Sequence, residues 1–150
     1  MLVGVISDTH GLLRPEARQA LLGSDAILHA GDIGKPEVLE ELRTIAPLTV
    51  IRGNVDKWAE TLPDTESVEL GGRRFYLIHN VRELDFEPGE AGFDAVISGH
   101  SHKPGIEEKN GVLYLNPGSA GPRRFTLPVA LARVRIPAGR LEPEIIELSV

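Results

Sequence analysis

The chain has 150 residues, enough for one domain with its own hydrophobic core, and its 41% hydrophobic and 25% charged residues are ordinary for a globular protein. A formal net charge of −6 argues against the basic face needed to track along a long nucleic acid, though not against a small phosphorylated substrate. Cysteine is absent, which excludes disulfides and thiolate ligands, so any metal must be held by nitrogen and oxygen.

Met1–Ile6 is apolar, with no basic lead-in and no small-residue cleavage site, and reads as a first strand rather than a signal peptide. No apolar stretch reaches membrane-spanning length, so the expectation is a cytoplasmic location with no membrane partner. A polar turn at Ser7–Gly11 leads to a helix over Arg14–Leu22, with Pro15 in its first turn. Asp25–Ala30 is the second strand, Gly31–Lys35 a turn, Pro36–Arg43 a second helix and Leu48–Arg52 a third strand. This β-α-β-α-β order favours parallel strands with right-handed crossovers. Beyond Trp58 strands dominate. Thr65–Leu70 and Arg73–His79 flank Gly71-Gly72, and Gly105–Glu108 and Val112–Leu115 flank Asn110-Gly111, both as hairpins. A third hairpin spans Pro128–Ile136 and Leu141–Ser149, and Ala95–Ser98 is a short buried strand. With no repeat or linker, residues 1–150 read as one domain with mixed sheets.

Five motifs at or near the ends of apolar runs carry the chemistry: Asp8-Thr9-His10, Gly31-Asp32, Gly53-Asn54, His79 and Gly99-His100-Ser101-His102. Imidazole and carboxylate together suit Mn²⁺, Fe²⁺, Ni²⁺ or Zn²⁺. Extended residues two apart point the same way, so Asp8 and His10 should reach one ion. A glycine before each of Asp32, Asn54 and His100 should allow a sharp turn at a strand end. Ligands gather outside the carboxyl ends of parallel strands, which would bring the first three motifs to one rim. Taken singly, Asp8-Thr9-His10 and Gly53-Asn54 are common turn sequences and His79 an ordinary histidine. Their joint order makes accident the weaker reading.

That order resembles the calcineurin-like metallophosphoesterases, whose pattern is Asp-x-His, Gly-Asp, Gly-Asn, a lone His and Gly-His-x-His. Asn116-Pro117-Gly118-Ser119 is similar to a loop of their small bacterial and archaeal phosphodiesterase branch. The resemblance implies a single-domain α/β sandwich of two mixed β-sheets flanked by helices. It implies one divalent ion, Mn²⁺ first among the candidates, on Asp8, His10, Asp32 and His102. A second ion would sit on Asn54, His79, His100 and the same, bridging Asp32. A metal-bridging hydroxide would attack phosphorus in line, with Asp32, Asn54 and His100 closest to the reaction. The expected partner is a small phosphoester, and self-association into a homo-oligomer is left open.

The chain departs from the pattern at two places. Many of these phosphatases carry a histidine after the Asn of Gly-Asn, able to protonate the leaving group, where Val55 stands here. Diesters are therefore expected over monoesters, since an unassisted alkyl or sugar oxygen leaves poorly. Asn80 follows His79 where glycine is frequent, and asparagine should tolerate a left-handed backbone there. His29 is expected to serve a structural hydrogen bond, Asp56 either to orient a ligand or cap a turn, and Arg14, Arg123 and Arg124 to be solvated. Ser7 and Ser119 have no evident general base. The rivals are a phosphomonoesterase on the same centre, a metal-dependent nuclease, and a non-catalytic scaffold like the retromer subunit of this fold.

Overall fold

The computed structural model describes residues 1–150 as two five-stranded sheets and two helices. The elements are β1 (Leu2–Ile6), α1 (Pro15–Leu21), β2 (Ala26–His29), α2 (Pro36–Arg43), β3 (Leu48–Val50), β4 (Thr65–Leu70), β5 (Arg73–Ile78), β6 (Ala95–Ile97), β7 (Gly105–Lys109), β8 (Val112–Asn116), β9 (Ala130–Arg135) and β10 (Glu142–Glu147). One sheet runs β10-β9-β1-β2-β3 and the other β4-β5-β6-β8-β7. Both are mixed: β1, β2 and β3 are parallel, as are β5, β6 and β8, and hairpin strands complete the edges.

Alternation along β1 explains the layering. Val3 and Val5 point between the sheets, where they join Leu28, Ala30, Phe75, Leu77, Ile97 and Leu115 in one core. Ile6 points the other way, with Leu21, Ile27, Val38, Leu39 and Leu42, to the layer where the helices lie. Gly4 shares that outer face, and a Cβ there would stand 2.6 Å from Leu21, so glycine lets α1 lie close on the sheet. A central strand buried on both faces is why β1 reads as a continuous apolar run. Both helices start at a proline and present an apolar stripe to this sheet.

The second sheet has no helix on its outer face. That side is closed by the segment after β5, where Leu84 packs on Ile78, Val96 and Val112, and Phe86 and Phe93 meet Tyr76. The three expected hairpins form at their expected turns. A 3-10 turn over Val81–Glu83, unsignalled by periodicity, begins behind Asn80, whose side chain accepts from the Arg82 N–H. Asn80 has φ −112, so its place demands no left-handed geometry after all. No helix is long and apolar enough to cross a membrane.

Candidate metal centre

The carboxyl ends of β1, β2 and β3 deliver Asp8, Asp32 and Asn54 to one edge of the sandwich, and those of β5 and β6 deliver His79, His100 and His102 to the same edge. Two overlapping groups form there, Asp8-His10-His102 and Asp8-Asp32-His79, with the donor atoms of each within 4.8 Å of one another. His10 Nε2 and His102 Nε2 are 3.3 Å apart. Asp8 Oδ1 lies 3.4 Å from His102 Nε2, 3.8 Å from His10 Nε2 and 3.9 Å from His79 Nε2. Asp32 Oδ2 lies 3.2 Å from His79 Nε2 and 3.8 Å from His10 Nε2. Asn54 and His100 stand exposed at the mouth, where they line a cleft of about 510 Å³ together with His79.

Each buried carboxylate has one oxygen committed and one spare. The Ser7 hydroxyl, at 2.7 Å, and the His100 N–H, at 3.1 Å, both donate to Asp8 Oδ2. The Val55 N–H donates to Asp32 Oδ1 at 3.1 Å. Asp8 Oδ1 is buried with no hydrogen-bond partner. His79 Nδ1 donates to the Ala30 carbonyl at 2.7 Å, because a carbonyl can only accept. A neutral ring with its proton on Nδ1 turns a bare Nε2 toward the carboxylates, and that atom too lacks a hydrogen bond. Lone pairs of three imidazoles and two carboxylates facing one another across 3–4 Å repel unless protons or metal cations lie among them. The donor set thus fits divalent transition metals held by nitrogen and oxygen.

Protonation follows the same geometry. Burial opposes ionisation of Asp32, but the imidazole of His79 and the Val55 N–H outweigh it and hold the carboxyl at about 2. Burial likewise opposes charge on His79, yet Asp32 and the Ala30 carbonyl keep its ring above the ordinary histidine value. For His10, burial prevails over the pull of Asp32 and Asp8 and lowers it, favouring the neutral ring a metal requires.

Asp8 and His10 do converge, but not as extended residues: their φ values are 54° and 46°, and Asp32, His100 and His102 are left-handed as well, at 57°, 70° and 62°. Five of the seven candidate ligands thus hold a backbone conformation that costs roughly 1 kcal/mol or more each for a side-chain-bearing residue. Gly53 and Gly99 serve space instead of a sharp turn. A Cβ on Gly53 would overlap the Asp32 carboxylate, and one on Gly99 would overlap Ser7 Oγ and Asp8 Oδ2.

Hydrogen bonds hold these strained loops. Asp56, 1% exposed, accepts from the N–H groups of Ile33, Gly34 and Gly53 at 3.0, 3.0 and 2.8 Å, tying the Asp32 loop to the Asn54 loop. His29 is fully buried and accepts from the Gly31 N–H through Nδ1, so its Nε2–H donates to Thr9 Oγ1. Thr9 in turn donates to the Ile33 carbonyl. Burial holds the His29 ring down at about 4. The Ser119 hydroxyl donates to the Asp8 carbonyl, a structural use of that serine. Arg14 is not merely solvated, since its Nε–H donates to the Gly121 carbonyl. Arg123 and Arg124 are exposed, and the Arg124 charge is felt at His10.

Residues 1–138 match the calcineurin-like phosphoesterase superfamily domain. The chain is 39% identical to a probable metallophosphoesterase of Methanothermobacter thermautotrophicus, across 97% of this chain and 92% of that one. It is 31% identical to a phosphodiesterase of Methanocaldococcus jannaschii, across 79% and 83%. Its fold superimposes on Vps29 of Entamoeba histolytica, solved with Zn²⁺, at a TM-score of 0.76 and 24% identity, covering 98% of this chain and 99% of Vps29. The motifs, the sandwich and these likenesses agree, and the chain belongs to the calcineurin-like phosphoesterase superfamily.

Proposed function

We propose that the chain hydrolyses phosphodiester bonds of small substrates by in-line displacement, using two divalent ions, Mn²⁺ first among the candidates. The observation that carries this reading is the pair of spare carboxylate oxygens, Asp8 Oδ1 and Asp32 Oδ2, each facing two or more imidazole Nε2 atoms at 3.2–3.9 Å beside an open cleft. Asp8, His10, Asp32 and His102 would hold one ion, and Asn54, His79, His100 and the shared Asp32 the other. When bound, such ions supply an activated water and neutralise charge on the phosphoryl oxygens.

The chain's own residues do the positioning. Ser7 and the His100 N–H fix the Asp8 carboxylate, and the Val55 N–H fixes that of Asp32, so neither rotates away. Ala30 sets the His79 tautomer. The Asn54 amide stands exposed at the cleft mouth, free to donate to a phosphoryl oxygen. Val55, 45% exposed beside it, can donate no side-chain proton. That supports diesters with good leaving groups over monoesters.

Metal analysis together with rates on bis(4-nitrophenyl) phosphate and 4-nitrophenyl phosphate tests the reading. We expect two metal equivalents and faster turnover of the diester. A metal-loaded protein that turns over neither ester overturns it in favour of a binding platform, the alternative supported by the fold shared with Vps29. A cytoplasmic setting and a small phosphoester partner belong to the same proposal.

A further inference from the structure

The cleft beside the centre has a charge pattern of its own. It begins at His79, which is 7% exposed and has an unpartnered Nε2, and runs outward between two walls. One wall carries Arg52, whose Nε–H is engaged by Asp64 Oδ1 at 2.7 Å, so its charge is already compensated. The other carries Asn80, Glu83 and Asp85 from the 3-10 turn and the segment after it. Glu83 and Asp85 are exposed and form no ion pair. Tyr76 lines the cleft as well, its ring held edge-on by Phe86 at 5.0 Å between centroids. A substituent reaching outward from a phosphorus at the centre would meet one aromatic ring and two uncompensated carboxylates. An ammonium group is attracted by both features, an alcohol is tolerated, and a second anion is repelled.

We propose that this cleft receives one ester substituent of the substrate, and that Glu83 and Asp85 select amine-bearing or uncharged substituents against anionic ones. The inference rests on the phosphodiesterase reading for where phosphorus sits, and it narrows the substrate class within that reading. Because the carboxylates lie at the solvent boundary, salt weakens the selection.

The test uses three 4-nitrophenyl phosphodiesters that share a leaving group and differ in the second substituent: choline, methyl and 2-carboxyethyl. For the Mn²⁺-loaded protein, kcat/KM and calorimetric affinity are measured at low and high salt, in the parent and in the E83Q/D85N variant. Both side chains are exposed, so the substitutions leave the core intact. The choline-to-carboxyethyl ratio should fall about tenfold in the variant, from two partly screened charges a few ångströms from the substituent. In the parent it should shrink with salt. A ratio that is the same in parent and variant, in rate and in affinity, overturns the proposal. Absence of turnover for all three esters, with a charge-dependent affinity that the variant loses, would overturn the hydrolase reading and leave the cleft's selectivity standing.

Discussion

Asp8 and Asp32 are buried with one carboxylate oxygen fixed and one presented, whereas Asn54 and His100 stand exposed at the cleft mouth with no hydrogen bond to either side chain. The two halves of the centre are organised by different means. On the inner side, strained backbone, buried hydrogen bonds and glycines without room for a Cβ hold the donors in place before any ligand arrives. On the rim, an ion or substrate would have to immobilise the side chains itself, at a cost in rotamer freedom. One ion should therefore bind tightly and the other weakly, and the substitutions below test that division.

The largest effect is expected at the two carboxylates. Asp32→Asn should release both ions together and lower activity by about a thousandfold or more while the fold persists, because the core lies elsewhere. Asp8→Asn should instead release the ion on the His10-His102 side first, with a comparable loss of activity, since Asp8 Oδ1 faces both of those rings. His79→Ala should instead empty the rim side first, leaving the Asp8-His10-His102 group occupied. Metal titration of the three variants distinguishes these outcomes. Two tightly held equivalents in Asp32→Asn would end its assignment as the bridge, and prior loss from the Asp8 side in His79→Ala would end the partition.

Asp56→Ala probes what holds the inner half. Three backbone N–H groups lose their acceptor, so stability should fall by about 3 kcal/mol, or roughly 10 °C in melting temperature. Metal affinity should drop 10–100-fold, as for other groups that orient ligands without binding the ion. A variant with the parent's melting temperature and metal affinity would show that the Asp32 and Asn54 loops are held by something else.

The same contrast explains what the sequence made legible. Chain order, strand ends and residue type singled out seven candidate ligands, of which Asp8, His10, Asp32, His79 and His102 fall in the two donor groups, because each lies in or just beyond an apolar run. The hairpins at Gly71-Gly72 and Asn110-Gly111 were legible because turn chemistry is local. The left-handed φ of Asp8, His10, Asp32, His100 and His102 was not, since these five polar residues adopt a shape that local propensity disfavours and only long-range bonds sustain. Asp56 was ambiguous for a related reason: two of its three partners lie 22 and 23 residues back. Thr9 sits inside the first motif, yet its partners, His29 and Ile33, emerge only when two strands are laid side by side. The 3-10 turn that carries Glu83 into the cleft is too short for any period to show.

His29 offers a pH test of the inner network, separate from the metals. Its ring titrates at about 4 in the folded chain and near 6.5 when exposed. Between those values the unfolded chain binds the extra proton, so stability falls as pH drops from 6.5 to 4 and is unaffected by this group above that window. The full loss is about 3 kcal/mol for a shift of this size. With chelator present throughout, so that ion release does not contribute, a melting series over pH 4–7 should show a slope that His29→Gln reduces. Equal slopes in parent and variant would mean the ring is not held neutral by its burial.

The smallest expected effect lies at the rim, where Val55→His should restore a proton donor next to Asn54. Val55 is 45% exposed, and only its backbone N–H is committed, to Asp32 Oδ1, so a larger side chain can enter without disturbing the inner half. Without a donor, charge on the departing oxygen is borne by the leaving group, and rates should fall steeply as leaving-group pKa rises. An imidazole at this place should help poor leaving groups by about tenfold, below the hundredfold or more typical of a positioned acid because an exposed side chain is mobile, and aryl esters hardly at all. The measurement is a rate series across aryl and alkyl diesters for both forms. A flat dependence in the parent, with alkyl esters as fast as aryl ones, would mean that another group already supplies the proton.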